Sequence, residues 1–95
     1  MLTYVTLMRY TRQGLESIDQ ALERFQATRE KMRSLGGELV FLYLTQGQYD
    51  LVAVSKWPDE YTGMRFLLDL GKQGNVRSET FRAFDEAEIA KILGR

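Results

Sequence analysis

Arg77 and Glu79 are the side chains of this sequence best suited to hold a charged group. They stand two residues apart in a segment that predicts a strand, so both project from one face of it. The planar guanidinium of Arg77 matches a carboxylate or a phosphate. Three interpretations are open: Arg77 holds an anionic ligand, it forms an exposed surface pair with Glu79, or it forms an ion pair between subunits.

Tyr49 and Asp50 place a phenol and a carboxylate at the tip of a predicted hairpin, directly after Gly47 and Gln48. In a functional interpretation, both groups are aimed at a ligand or at a neighbouring subunit. In a structural interpretation, Asp50 accepts backbone N–H bonds in the turn, Gly47 adopts a positive φ, and Tyr49 packs on the rim. Both interpretations stay open at this point.

Further tyrosines could line a mostly apolar pocket with a few polar tips, as small-molecule sites do. Tyr4, Tyr10 and Tyr43, together with Met8, have the right composition for such a pocket. Packed aromatic side chains at a subunit interface would explain the same residues. The candidate ligand or interface residues are therefore Tyr4, Tyr43, Tyr49, Asp50, Arg77 and Glu79. No catalytic residue is assigned.

The chain has no histidine and no cysteine. It therefore lacks the commonest general base near neutral pH, the commonest zinc ligands, the usual haem ligand and a thiol nucleophile. We expect no bound transition metal, no haem and no other cofactor, although carboxylates could still bind magnesium or calcium. Acid–base chemistry would depend on carboxylates, tyrosines or lysines.

The overall charge and hydropathy narrow the class of partner. Thirteen basic and thirteen acidic residues cancel and are interspersed, which disfavours a nucleic-acid ligand. The first residues do not resemble a secretory signal. The longest apolar run is Leu39–Leu44, far shorter than the ~20 residues that span a bilayer. We expect a soluble cytoplasmic protein without membrane contact.

The hydrophobic pattern predicts four strands and three helices in a single domain over residues 1–95. The predicted strands are Leu2–Tyr10, Glu38–Thr45, Asp50–Trp57 and Val76–Phe84. The predicted helices run through Leu15–Leu35, from an N-cap at Asp59 through Leu70, and from an N-cap at Asp85 through Leu93.

Three smaller features of the pattern have local meanings. Ser17 and Gln20 have the spacing of a capping box within the first predicted helix. Gly63 lies inside the second predicted helix, where close packing against a neighbouring element is its expected use. Trp57 ends the third strand and is expected to anchor the packing there.

The order of the elements predicts an α+β, ferredoxin-like βαββαβ fold with a four-stranded antiparallel sheet. Both long helices lie on one face of this sheet, the first and third strands are central, and one face is uncovered. The second strand is apolar on both sides, and we place Tyr4, Met8 and Tyr10 of the first strand on the uncovered face. Such a surface predicts a homo-oligomer. Alternatively, the C-terminal helix could fold across it.

Two segments resemble the hallmark motifs of the GYD-domain family, namely Gly47-Gln48-Tyr49-Asp50 and Gly74–Phe84. The end of the first helix at Leu35-Gly36-Gly37 and the Pro58-Asp59 step also resemble that family's pattern. The resemblance covers essentially the whole chain. It implies a ferredoxin-like domain related to dimeric α/β-barrel proteins, in which two sheets pair face to face around a cavity. It implies no particular reaction.

Three functions are compatible with these features. The leading interpretation is a small oligomeric domain that binds a small molecule at or near a subunit interface. The alternatives are a cofactor-free enzyme of the monooxygenase or isomerase type, and a structural or regulatory interaction protein. We expect Tyr49, Asp50, Arg77 and Glu79 to lie near a subunit boundary, because the ends of the third and fourth strands need not meet within one subunit.

Overall fold

The fold contains four strands, four helices and one turn of 3-10 helix, described by a computed structural model over residues 1–95. The strands are β1 (Leu2–Tyr10), β2 (Glu38–Leu44), β3 (Leu51–Trp57) and β4 (Val76–Ala83). The helices are α1 (Arg12–Glu16), α2 (Ala21–Ser34), α3 (Glu60–Gln73) and α4 (Glu86–Ile92), and the 3-10 turn is Ile18–Gln20. None of these helices has the length and apolar character needed to cross a membrane.

The four strands form one sheet in the order β2-β3-β1-β4, and all neighbouring strands are antiparallel. The central positions of β1 and β3 and the edge positions of β2 and β4 confirm the arrangement predicted from the order of elements. Because β1 pairs with both β3 and β4, its end lies between the hairpin that joins β2 to β3 and the start of β4.

One face of the sheet holds the hydrophobic core. Met8, Leu51, Ala53 and Val76 are buried there and pack against side chains of α2 and α3, including Phe25. Both long helices therefore lie on the same face, as predicted. The opposite face has no helix over it, and we call it the open face.

The assignment of side chains to the two faces of β1 was wrong. Met8 pairs with Leu51, which is buried in the core, so Tyr4 and Tyr10 also project toward the helices by the two-residue alternation of a strand. The strongly buried side chains of β3 decide which face of β1 joins the core. The open face of β1 instead carries Val5, Leu7 and Arg9.

The predicted first helix is divided into α1, the 3-10 turn and α2. The backbone leaves helical geometry at Ser17, which makes no side-chain capping bond, so the predicted capping box is absent. The N-cap of α1 is Thr11, whose hydroxyl accepts from the N–H of Gly14 at 3.1 Å. Because the break redirects the chain, Leu15 and Leu22 are exposed rather than buried.

Trp57 anchors the packing at one end of the sheet, as predicted. Its side chain is only 1% exposed, and its indole N–H donates to Ser55 Oγ at 3.2 Å. A Cβ atom at Gly37 would lie 2.7 Å from the ring, and one at Gly63 would lie 3.1 Å from it. Both glycines are therefore needed for the close approach of backbone to the indole, which confirms the expected use of Gly63.

Each of the two edge strands of the sheet has a local feature of its own. The pairing of β2 with β3 shifts between Leu39 and Phe41, so Val40 is an extra residue in a β-bulge on this edge strand. Near the end of β4, the side chain of Arg82 donates to Glu88 Oε2 of α4 at 3.0 Å. The apolar side chains of α4 are exposed, so this helix does not use them to cover the open face.

Candidate functional site

The open face is apolar in its middle and polar at both ends. The β1–β3 and β1–β4 registers align its side chains in rows across the sheet, and Phe41 and Tyr43 of β2 stack at a ring-centroid distance of 5.0 Å. Tyr43 is 62% exposed and Phe81 of β4 is 44% exposed. The other side chains of this face are Thr3, Val5, Leu7, Arg9, Glu38, Val52, Val54, Lys56, Arg77, Glu79 and Ala83.

Four polar side chains form a cluster at one end of the open face, which we call the arginine corner: Arg9, Tyr49, Arg77 and Glu79. The Tyr49 hydroxyl donates to Glu79 Oε2 at 2.9 Å, and this bond raises the pKa of Tyr49 above its ordinary value. The guanidinium of Arg9 lies 4.9 Å from the centre of the Tyr49 ring, and its Nε donates to the Gln48 carbonyl at 2.8 Å. The corner thus joins the hairpin, β1 and β4.

The contact between Tyr49 and Glu79 forms within one subunit. From the sequence, we expected the ends of the third and fourth strands to meet across a subunit boundary. The structure closes the distance because neighbouring strands are about 4.8 Å apart, and the long side chain of Tyr49 extends past β1 to β4. Arg9, which the sequence analysis did not single out, lies between them.

Arg77 is the unsatisfied member of the arginine corner. It is exposed and makes no hydrogen bond and no ion pair within the chain, while its partner across the β1–β4 pair is Arg9. Like charges directly opposite each other on neighbouring strands are destabilising. The only acidic group of the corner, Glu79, already accepts the Tyr49 hydroxyl bond. An additional acidic group from outside the chain would relieve this imbalance.

Asp50 has a structural role in the same region. Its Oδ2 accepts the backbone N–H of Tyr10 at 2.8 Å, and its own N–H donates to the Met8 carbonyl at 2.8 Å. Gly47 adopts a φ of +110°, as the turn requires. The bond from the Tyr10 N–H is of the kind that the structural interpretation expects, although this donor lies at the end of β1 rather than in the turn. Asp50 extends the bonding between β1 and β3.

The three tyrosines and Met8 do not meet in one pocket, because only Met8 and Tyr10 line the cavity between the helices and the sheet. Tyr4, Met8 and Tyr10 project toward the helices, whereas Tyr43 lies on the open face. Tyr4 is half-buried and pairs across the sheet with Ser55 and Arg82, away from the arginine corner. The alternation of β1 separates these residues, and the burial of Met8 decides the side.

An apolar stripe is exposed on α3. Tyr61, Met64 and Leu68 are spaced by three and four residues, so they share one side of the helix, and they are 86%, 52% and 61% exposed. Large apolar side chains grouped on a surface mark interaction sites more often than scattered ones. We call these three residues the α3 stripe.

Comparison with known proteins gives a family. The model of the GYD domain matches residues 4–93. A protein of Thermus thermophilus, described as "Glutamine synthetase and cystathionine beta-lyase binding protein", is 30% identical over 94 residues. The match covers 98% of this chain and 99% of that protein, so the two are similar from end to end.

Solved structures support the fold. The crystal structure of MtbAldR superposes with a TM-score of 0.69 at 13% identity, over 90% of this chain and 52% of that one. This chain therefore spans about half the length of MtbAldR. The structure of FFRP-DM1 superposes with a TM-score of 0.61 at 20% identity, over 88% of this chain and 100% of that one. At these identities the likeness establishes the α+β architecture alone.

Proposed function

Because this chain belongs to the GYD-domain family, we propose that it is a homo-oligomeric binding protein that docks onto other proteins. Support comes from the Thermus thermophilus relative, whose description names two enzymes that it binds and whose similarity extends over nearly the whole of both chains. The proposal favours the interaction role over a cofactor-free enzyme, since Tyr49 bonds Glu79 and Arg9 bonds the Gln48 carbonyl, which leaves only Arg77 of the arginine corner available to a group from outside.

The observation that carries the proposal is the open face of the sheet. Apolar side chains cover most of it, and no element of the chain packs over them. The occupant that we propose is a second copy of the chain, since two such faces placed together bury each other's apolar side chains. Burial of apolar area at about 25 cal/mol per Å² provides the driving force for this association.

Charge complementarity also favours a second copy. In a two-fold arrangement each contact occurs twice with the roles exchanged. Arg77, which has no partner within its own chain, can then pair with Glu79 of the second copy, and the reciprocal pair forms at the symmetry-related position. The arginine corner thus lies at the boundary between the subunits.

Light scattering coupled to gel filtration tests the assembly at micromolar concentration. We expect a particle of at least twice the 11.0 kDa chain mass. Arg77→Glu and Glu79→Arg should each shift the protein toward the single-chain mass, and the double exchange should restore the assembly because it restores the pairing. Arg29→Glu, at an exposed position on α2, is the matched control. A wild-type particle of 11.0 kDa throughout this range would refute the proposal.

The α3 stripe is the surface that we propose for the protein partner. It lies on the helix side of the sheet and stays exposed when a second copy covers the open face. Apolar anchors spaced along one side of a helix fit an apolar groove of another protein. The partner is therefore expected to offer such a groove to α3.

The test of the partner class is a binding measurement. It uses purified glutamine synthetase and cystathionine beta-lyase from the organism that encodes this chain. We expect at least one to bind the immobilised protein, and Leu68→Ser to weaken binding about tenfold or more. Gln73→Ser, at an exposed position on another side of the same helix, should leave the affinity unchanged. The assignment would be contradicted if neither enzyme bound, or if the Leu68→Ser variant bound with the affinity of the wild type. The mass of Leu68→Ser in light scattering separates a loss of docking from a loss of assembly.

A further inference from the structure

A cavity of about 90 Å³ lies between α2, α3 and the core face of the sheet. A groove of about 260 Å³ lies between the two helices. Arg24, Phe66 and Leu70 line both spaces, so the cavity adjoins the groove. Its walls are mostly apolar, with contributions from Phe25, Met32, Leu39 and Leu42.

Two polar groups in the cavity wall lack partners. The hydroxyl of Tyr10 and the Nη2 of Arg24 are both buried and make no hydrogen bond. The other terminal nitrogen of Arg24, Nη1, donates to the carbonyl and the hydroxyl of Ser17 at 2.9 and 3.0 Å. One half of the guanidinium is therefore fixed by the break between α1 and α2, while the other half is unpaired.

Tyr10 and Arg24 line the same cavity and influence each other electrostatically. Burial raises the pKa of Tyr10, while the positive charge of Arg24 lowers it and the negative charge of Asp50 raises it. Asp50 forms no ion pair with Arg24 and accepts the backbone N–H of Tyr10 instead. None of the ion pairs of the chain includes Arg24.

A buried donor without a partner is destabilising, and a buried charge without a partner is more so. In water-filled sites, ordered water can satisfy such donors, but the walls here are mostly apolar. A carboxylate would accept from the free half of the guanidinium and from the phenol, and charge-assisted bonds of this type are the strong ones. The apolar walls would then contact a hydrocarbon body.

We propose that this cavity binds a small apolar monocarboxylate, with Arg24 and Tyr10 holding its carboxylate group. The site lies on the opposite side of the sheet from the open face, so it is separate from the contact with a second copy. The cavity is smaller than the roughly 300–1,000 Å³ of sites for drug-sized ligands, which favours a short aliphatic or aromatic acid.

Titration calorimetry on the full chain tests the proposal, with hexanoate and 1-hexanol as probes. We expect hexanoate to bind at least about tenfold more tightly, because only the carboxylate forms charge-assisted bonds. Nuclear Overhauser effects from the hexanoate methyl group to Met32 and Leu39 should place the chain in the cavity. No binding of hexanoate, or equal affinities for the two probes, would overturn the proposal.

Two substitutions assign the binding to the named residues. Arg24→Met keeps an apolar stem and should abolish the preference for hexanoate, whereas Arg29→Met, on an exposed position of the same helix, should retain it. Tyr10→Phe removes only the hydroxyl and should weaken hexanoate binding about threefold or more without affecting hexanol. Tyr10→Phe keeps the test decisive if Arg24→Met does not fold. Unchanged hexanoate affinity in a folded Arg24→Met or in Tyr10→Phe would refute the assignment.

Discussion

Replacing Asp50 by alanine should destabilise the fold, because it removes the acceptor for the backbone N–H of Tyr10. Hydrogen bonds to charged groups contribute about 1.5–3 kcal/mol. Asp50 is half-buried, so we expect a loss of about 2 kcal/mol in the free energy of unfolding. For a domain of this size, that loss lowers the melting temperature by roughly 8–16 °C.

Urea titrations followed by the fluorescence of the single tryptophan provide the assay, at a fixed protein concentration because the proposed assembly would contribute to stability. Asp50→Asn keeps a neutral acceptor and should lose about 1 kcal/mol, while Asp19→Ala, an exposed position, should change stability by less than about 0.5 kcal/mol. An Asp50→Ala variant as stable as Asp19→Ala would refute the structural role of this carboxylate.

Three further perturbations test the fold. Gly37→Ala should cost about 1–3 kcal/mol in urea titrations, since its Cβ would meet the buried ring of Trp57, whereas the unobstructed Gly71→Ala should be neutral or stabilising. Asp59 caps α3, and hydrogen bonds from the third residue of that helix lower the pKa of the Asp59 carboxyl. The stabilisation by this cap is present at neutral pH and is lost as the pH falls through the lowered pKa. The melting temperatures of Asp59→Ala and wild type should therefore converge in acid. Burial raises the pKa of Tyr10 above 10.0, so alkaline melting curves should show wild type losing stability as the pH rises past 10.0 and Tyr10→Phe losing less.

The order of elements and the sheet topology could be predicted from the sequence because they depend on patterns that extend over many residues. The strand pattern of β3 and the turn residues after it are examples of such patterns. The edge position of β2 follows from the order of all the elements. The break at Ser17 could not be predicted in the same way, since the apolar spacing continues through it from Leu15 to Leu22. A three-residue change in backbone geometry leaves such a pattern intact.

The candidate site was predicted in part. Tyr49, Arg77 and Glu79 do share one region, but Arg9, which lies between them, was missed although it follows Val5 and Leu7 at two-residue spacing. The side chains of β1 could not be assigned to a face from the sequence, because both of its faces are apolar.

Arg24 carried a signal that the sequence analysis did not use. With Ala21, Phe25, Thr28 and Met32 it occupies the inward side of α2, where a charged residue interrupts an otherwise uncharged stripe. A charge at such a position indicates either an internal partner or a site. The distinction requires the three-dimensional positions of Ser17 and Tyr10.

The β-bulge at Val40 affects how copies of this protein can associate. A bulge twists an edge strand and interrupts its row of free backbone groups, so β2 is a poor template for a further strand from another molecule. Association by strand addition would be open-ended and would lead to fibres, whereas the proposed pairing through the open faces would close after a fixed number of chains. A single extra residue thus disfavours polymerisation at the β2 edge of the sheet.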